Sequence, residues 1–148
     1  MTKKLLLLST GGTIASVVSD EGLAPGESGE ELIKMLGRLE YDITVRDILE
    51  LDSSNIQPEE WKIIAEAIYD HRNEYDGIVV SHGTDTMAYT ASMLTFMLQH
   101  INIPVVLTGS QVPMNVILSD APDNLRLAFA AAANCEPGVD RKSTRLNS

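Results

Sequence analysis

The sequence has little cysteine, little positive charge and no long apolar run. Its single cysteine, Cys135, cannot form an internal disulfide, which fits a reducing compartment such as the cytoplasm. Lys and Arg number 11 against 21 Asp and Glu, and the net charge of −10 argues against nucleic acid and anionic membranes as partners. The apolar run Leu5–Leu8 is too short for a signal peptide or a membrane span, and it is interpreted as a strand.

The composition predicts a globular domain with a real core. Hydrophobic residues make up 44% of the 148 residues, which is enough for one domain. The sequence contains no internal repeat and no low-complexity linker. A solvated acidic surface is a sufficient explanation for the charge.

Strand and helix patterns alternate along the chain. Helical spacing of apolar residues predicts four helices: 30–39, a clear one starting at Pro58, one through Met87–Leu98, and a last one starting at Asp120 or Asp123. Short apolar or β-branched runs predict strands at 5–8, 14–18, 41–51, 78–81 and 103–107, with a polar loop after 14–18. The order predicts an α/β fold: an open, mainly parallel sheet with helices on both faces, Rossmann-like or flavodoxin-like.

Polar segments follow four of the predicted strands. The carboxyl ends of parallel strands meet at one edge of a sheet, where α/β proteins bind their ligands. One crevice is therefore expected to collect hydroxyls and a carboxylate from separate loops. These residues are Thr13, Ser53, Ser54, Thr84 and Asp85.

Thr13 is a candidate nucleophile. Gly11 and Gly12 before it allow a sharp turn and close approach to a ligand, but a threonine hydroxyl needs a base to become reactive. The alternative is a turn threonine bonded to its own backbone. A nucleotide-binding loop is disfavoured, because the G-x-G-x-x-G spacing and the P-loop lysine are missing.

Thr84 and Asp85 stand at the start of a predicted helix. Unpaired backbone N–H groups there favour developing negative charge, and Asp85 could bind a substrate ammonium group. The alternative is helix capping by either side chain. The neighbouring His82 is interpreted as a packed, hydrogen-bonded histidine. With no second histidine or cysteine at ligand spacing, no metal and no cofactor are expected.

Together these segments resemble the bacterial-type L-asparaginases, most closely the cytoplasmic type I branch. The resemblance runs from about Lys3 to about Asn134, and two long signatures in the right order make it specific. The matching segments are 7–15, 52–55, 77–87, 108–113, 119–120 and 124–125.

The resemblance implies hydrolysis of asparagine to aspartate and ammonia. Thr13 would form an acyl-enzyme, Thr84 would position or activate the second nucleophile, and Asp85 would hold the α-amino group of the substrate. The substrate α-carboxylate would be lined by Asp52, Ser53 and Ser54. Family members are homodimers or homotetramers with a second, smaller C-terminal domain.

The sequence departs from the family at two places. Leu23 stands where many relatives have a loop tyrosine. The family's catalytic lysine follows a strand after the last helix, and Lys142 is too early and is expected to lack that strand. We therefore expect an incomplete catalytic domain at residues 1–139, a foreign tail at 140–148, no smaller domain, and little activity in this chain.

Two other functions stay open. An ammonia-releasing subunit of a tRNA-dependent amidotransferase carries related signatures, but with an extension before the segment that begins here at Thr10. A non-catalytic amino-acid-binding or assembly module that kept the pocket is the third interpretation.

Overall fold

A computed structural model describes most of the chain. The described residues are 2–12, 14, 16–19, 22–25, 29–51, 56–110, 113–114 and 116–142. Seven strands and four helices are assigned among them. Their bounds are β1 Lys4–Gly11, β2 Ser16–Ser19, β3 Gly22–Pro25, α1 Gly29–Leu36, β4 Asp42–Leu51, α2 Pro58–His71, β5 Gly77–Ser81, α3 Met87–Met97, β6 Pro104–Thr108, α4 Ala121–Asn134 and β7 Gly138–Lys142.

The main sheet has five parallel strands in the order β4-β1-β5-β6-β7. Counting only these strands along the chain, the order is 2-1-3-4-5, which is the flavodoxin-like arrangement. The predicted α/β fold is confirmed. The connections change direction between β1 and β5, so the switch point that usually holds a ligand lies between their carboxyl ends.

Helices cover both faces of the sheet. Alternate residues of β1 enter opposite core layers, with Leu5 and Leu7 on one side and Leu6 and Leu8 on the other. Residues of α1 and α4 fill the first layer, and residues of α2 and α3 fill the second. All four leucines are fully buried, which explains why the strand is a continuous apolar run rather than an alternating one.

The helix at Pro58 has the predicted start. Pro58 occupies the first turn, where its missing N–H costs nothing, and acidic residues follow it at the positive end of the helix dipole. The first helix is shorter than predicted, ending at Leu36 instead of Leu39. Gly37 follows with φ +77°, a left-handed conformation that terminates helices.

Two strands differ from the sequence-based expectation. Gly22–Pro25, expected to be a polar loop, pairs antiparallel with β2 in a small separate sheet. The expectation that no strand precedes Lys142 is wrong, because Gly138–Lys142 pairs in parallel with β6. Its charged sequence looks like a loop, but charged residues are common on edge strands, where they discourage pairing with other chains. A foreign origin for residues 140–148 stays a prediction, and residues 143–148 lie outside the described part.

No helix in the described ranges is both long and apolar enough to cross a membrane.

Candidate active site at the sheet edge

A buried hydrogen bond joins the carboxyl ends of β1 and β5. The Thr10 hydroxyl donates to the backbone oxygen of Ser81 over 2.7 Å, and both residues are buried. Because these strands flank the switch point, the bond sets the separation of the two loops that follow them.

The loops themselves are in close backbone contact. A Cβ on Gly12 would lie 2.5 Å from the backbone nitrogen of Gly83 and 2.6 Å from its Cα. Gly12 also has φ +86°, which L-residues with a side chain rarely adopt. The second glycine of the first motif is therefore required by contact with the second motif as well as by its own turn.

The loop after β6 joins them. The backbone N–H of His82 donates to the oxygen of Thr108 over 2.8 Å, and a Cβ on Gly109 would collide with the oxygen of His82. Asn124 in α4 donates its side-chain amide to the oxygen of Gly109 over 2.8 Å. Three of the four predicted polar loops therefore meet around residues 82 and 83.

His82 is buried and makes two side-chain hydrogen bonds, as expected for a packed histidine. Its Nδ1 lies 2.7 Å from the oxygen of Gly83, and its Nε2 lies 3.0 Å from the hydroxyl of Thr90. The indole nitrogen of Trp61 donates to the same hydroxyl over 2.8 Å. Burial lowers the pKa of His82 below its usual value, and the bond to Gly83 opposes this only in part. The imidazole is therefore neutral at pH 7.

Thr84 and Asp85 follow immediately, and neither caps α3. The N-cap position belongs to Thr86, which makes no side-chain cap hydrogen bond. Thr84 is partly buried and its methyl group lies near Gly109, while Asp85 is exposed. The capping alternative for these two residues is wrong, and their roles in binding and catalysis stay predictions.

Four of the predicted site residues, Thr13, Asp52, Ser53 and Ser54, lie outside the described residues. Their flanking strand ends are described: Gly11 pairs with Leu51 in the β1–β4 ladder. The chain therefore enters both segments from one edge of the sheet, the edge that also carries Thr84. The roles assigned to these four residues stay predictions.

A row of polar residues crosses the sheet near the carboxyl ends of three strands. Ser9, Ser81 and Thr108 are register partners on three adjacent strands, and all are buried. The Thr108 hydroxyl donates to the oxygen of Asn124 over 3.4 Å. The hydroxyl of Ser81 is buried without a hydrogen-bond partner among the described residues.

The side chains that hydrogen-bond to Ser81 and His82, and the one that bonds to Thr90, were not singled out by any sequence pattern. Thr10 stands inside the first motif, where the neighbouring glycines and Thr13 carry the functional signal, and Thr90 and Trp61 lie outside every motif. The bond between Trp61 and Thr90 joins residues 29 positions apart on two helices, a pairing that no local pattern signals. Within the described ranges, no group of three or more His, Cys, Asp or Glu side chains is placed to hold a metal ion.

The fold and this edge define an α/β domain with hydroxyl-bearing loops at the switch point of a flavodoxin-like sheet. The family model described as Asparaginase, N-terminal, matches residues 4–140. The chain belongs to the asparaginase family.

Named relatives agree with the family match. The chain is 49% identical over 139 residues to the L-asparaginase of Thermococcus kodakarensis and 45% identical over 138 residues to L-asparaginase 1 of Escherichia coli. These matches cover 92% and 89% of the chain but only 42% and 41% of the relatives. The chain thus spans about two fifths of their length.

Solved structures share the fold. The thermostable L-asparaginase from Thermococcus kodakarensis aligns with a TM-score of 0.87 at 48% identity, over 94% of this chain and 43% of that one. A protein described as a probable cytoplasmic L-asparaginase from Campylobacter jejuni aligns with a TM-score of 0.77 at 34% identity, over 93% of this chain and 42% of that one.

Proposed function

We propose that this chain is the N-terminal part of an amidohydrolase that converts L-asparagine to L-aspartate and ammonia. The observation that carries the proposal is the contact between the first and second motifs, through Thr10 with Ser81 and through Gly12 with Gly83. It holds the loop that leads to Thr13 against the loop that leads to Thr84. The similarity to proteins named L-asparaginase supports asparagine as the substrate.

In the proposed reaction Thr13 is the nucleophile. Its hydroxyl adds to the side-chain amide carbon of asparagine, the C–N bond breaks, and ammonia leaves with the hydroxyl proton. Water then adds to the resulting ester, which releases aspartate and restores the threonine. Thr84 positions or activates that water, and its place beside the backbone N–H groups at the start of α3 suits the developing negative charge.

The remaining residues bind the ends of the substrate. Asp85 is exposed at the edge and accepts hydrogen bonds from the α-ammonium group. Asp52, Ser53 and Ser54 line the α-carboxylate, where the serine hydroxyls are the donors. The two charged ends thus fix the amide carbon in front of Thr13.

We further propose that the machinery is incomplete within residues 1–139. Since the chain spans about two fifths of its relatives, a lysine partner for Thr84 and Asp85, together with a smaller second domain, would come from further sequence. The isolated chain should then be weakly active or inactive, while the longer parent is active.

An ammonia-release assay with L-asparagine tests this proposal. The parent protein should turn over asparagine, and Thr13→Ala should abolish that turnover. Thr95→Val, an exposed change on α3, is the matched control and should keep the parental rate. A surviving rate in Thr13→Ala would exclude Thr13 as the nucleophile, and robust turnover by the isolated chain would refute its incompleteness.

A second function is favoured by one group of relatives. The chain is 41% identical over 144 residues to a glutamyl-tRNA(Gln) amidotransferase subunit of Thermoplasma acidophilum, with 35% of that protein covered. The higher identity to L-asparaginases favours the first proposal. Ammonia release from glutamine or asparagine that depends on an aminoacylated tRNA would support the amidotransferase function instead. Calorimetry that finds aspartate binding without hydrolysis would support a non-catalytic binding module.

We also propose a cytoplasmic homo-oligomer. The cytoplasmic location is supported by the single cysteine and by the Campylobacter jejuni neighbour.

In a chain of net charge −10, α3 carries no charged residue and exposes Tyr89, Met93 and Phe96. Two copies meet with least repulsion on that face. Light scattering of Phe96→Glu should show smaller particles than Lys62→Glu, which changes charge on α2. Equal sizes would contradict this interface.

A further inference from the structure

We propose that Thr90 and Trp61 are positioning residues that act through His82 to orient the backbone carbonyl of Gly83 and so the loop that carries Thr84. This inference rests on the proposed function for the meaning of that loop. The chain of contacts itself is independent of it. The hydrogen bonds of Thr90 and Trp61 lead to His82 rather than to Thr84, so their action is indirect.

The direction of each hydrogen bond follows from chemistry. A carbonyl oxygen only accepts, so His82 must carry its proton on Nδ1 to bond Gly83 over 2.7 Å. In the neutral ring Nε2 then has a lone pair and accepts from the Thr90 hydroxyl over 3.0 Å. The Thr90 oxygen is left to accept, and the Trp61 indole, which only donates, supplies that proton over 2.8 Å. The chain has one self-consistent direction from Trp61 to Gly83.

Burial favours this single arrangement of the hydrogen bonds. His82 and Thr90 have no exposed surface, so water does not compete for their polar atoms. Each ring nitrogen of His82 has one partner and the Thr90 hydroxyl has two, and an unmade bond in such a place costs more than it would at the surface. The lowered pKa of His82 keeps the ring in the neutral form that this arrangement needs.

The orientation matters because the backbone next to the Gly83 carbonyl is already held by other contacts. The nitrogen and Cα of Gly83 face Gly12, and the preceding residue is tied to the Thr108 oxygen through its own N–H. Its carbonyl is the remaining free direction, and the His82 ring fixes it. Thr84 is the next residue, so a rotated Gly83 peptide would move the Thr84 hydroxyl relative to the first motif.

Ordinary packing would predict a different set of residues. The second core layer around Thr90 is built from Ile64, Ile68, Leu94 and other apolar side chains. A valine would fit the Thr90 position by size, and a phenylalanine would fill most of the space of Trp61. The polar atoms are explained by the bonds that they make to one another, and these lead to the loop.

NMR on the 15N-labelled 148-residue chain tests the proposal. In the unsubstituted 148-residue chain, His82 should be in the Nδ1-protonated neutral form, shown by the chemical shifts of the two ring nitrogens. Thr90→Val should raise the Nε2-protonated population roughly fivefold or more, the effect of losing one hydrogen bond. The single indole N–H resonance of Trp61 should also shift, since its acceptor is gone.

The backbone amides of Gly83, Thr84 and Asp85 report the effect on the loop. They should shift in Thr90→Val and less in Trp61→Phe, and Thr90→Ser should restore them because it keeps the hydroxyl. Thr95→Val removes a hydroxyl from the same helix, one that donates to the oxygen of Ala91, and should leave these amides in place.

An Nε2-protonated His82 in the unsubstituted 148-residue chain would overturn the proposal. So would unmoved loop amides in a folded Thr90→Val, or equal shifts in Thr90→Val and Thr95→Val. None of these readouts requires turnover. If the parent protein neither binds nor hydrolyses asparagine, the proposed function fails while the NMR result still decides this inference.

Discussion

Gly12 and Gly83 approach each other so closely that a Cβ on Gly12 would lie 2.5 Å from the backbone nitrogen of Gly83. The two residues are far apart in sequence and end different strands. Each belongs to one of the two motifs that place the chain in its family. Their contact couples the positions of the two motifs.

Gly12→Ala should therefore destabilise the fold and separate the two loops. A left-handed alanine costs about 1–2 kcal/mol, and the collision with the Gly83 backbone adds about 1–3 kcal/mol. Gly37→Ala is the matched control, because Gly37 has φ +77° but nothing within 4 Å of the added Cβ. Urea unfolding should place Gly12→Ala clearly below Gly37→Ala, and equal losses would mean that backbone strain alone is responsible.

Thr10→Val should lower the free energy of unfolding by about 1 kcal/mol, since it removes the buried bond from the hydroxyl to the oxygen of Ser81. Thr10→Ser keeps the donor and should recover most of the loss. Thr44→Val on β4 changes an exposed threonine in the same sheet and should be nearly neutral. A Thr10→Val chain as stable as its parent would show that the bond contributes nothing net.

Ser81→Ala should be neutral or stabilising. The Ser81 hydroxyl is buried without a partner in the described part of the chain, so its removal ends a desolvation cost of about 1–3 kcal/mol against a small loss of packing. Thr108→Val, one strand away in the same register row, removes a hydroxyl that does have a partner and should be destabilising. Thermal unfolding of both variants checks the contrast, and a larger loss in Ser81→Ala would reverse it.

Stability should fall as the pH drops below about 6.5, the usual histidine pKa. Burial lowers the pKa of His82 in the folded chain, so the unfolded chain takes up a proton that the folded chain refuses. Unfolding is then favoured increasingly as pH falls toward the folded-state pKa, and this contribution is constant above about pH 7.

His82→Asn should flatten that pH dependence, because asparagine does not titrate and its amide can still donate to Gly83. His100→Asn replaces an exposed histidine and is the control variant. Urea unfolding between about pH 5 and 8 measures both slopes. A slope retained in His82→Asn would assign the effect to another group.

The central strands could be located from the sequence because their residues are buried on both faces of the sheet. Leu5–Leu8 is buried on both sides, so its composition alone marks it as central. Gly138–Lys142 was missed because only Val139 is apolar and the strand is held by its backbone bonds to β6. Backbone pairing cannot be recognised from amino-acid composition. The polar end of this strand therefore resembles a loop in the sequence.

The residues of the candidate site also fall into those that the sequence could reveal and those that it could not. His82, Thr84 and Asp85 could be found because they follow a strand directly, and the position of a loop at a parallel sheet edge is set by topology. Thr90 and Trp61 could not, because their partners come from packing two helices on one sheet. The end of α1 at Gly37 could not be predicted because it depends on the positive φ of Gly37. A glycine can adopt a positive φ but does not have to.

The close packing of α4 on the sheet has a consequence for distant parts of the chain. A Cβ on Gly77 would collide with the oxygen of Ala132, and the alanines around it leave no slack between helix and strand. Asn124, near the opposite end of the same helix, holds the Gly109 carbonyl. A helix of this length is a stiff rod of roughly 20 Å. Bulk added near Ala132 would tilt the helix and so shift Asn124 and the Gly109 loop, although no altered residue touches that loop.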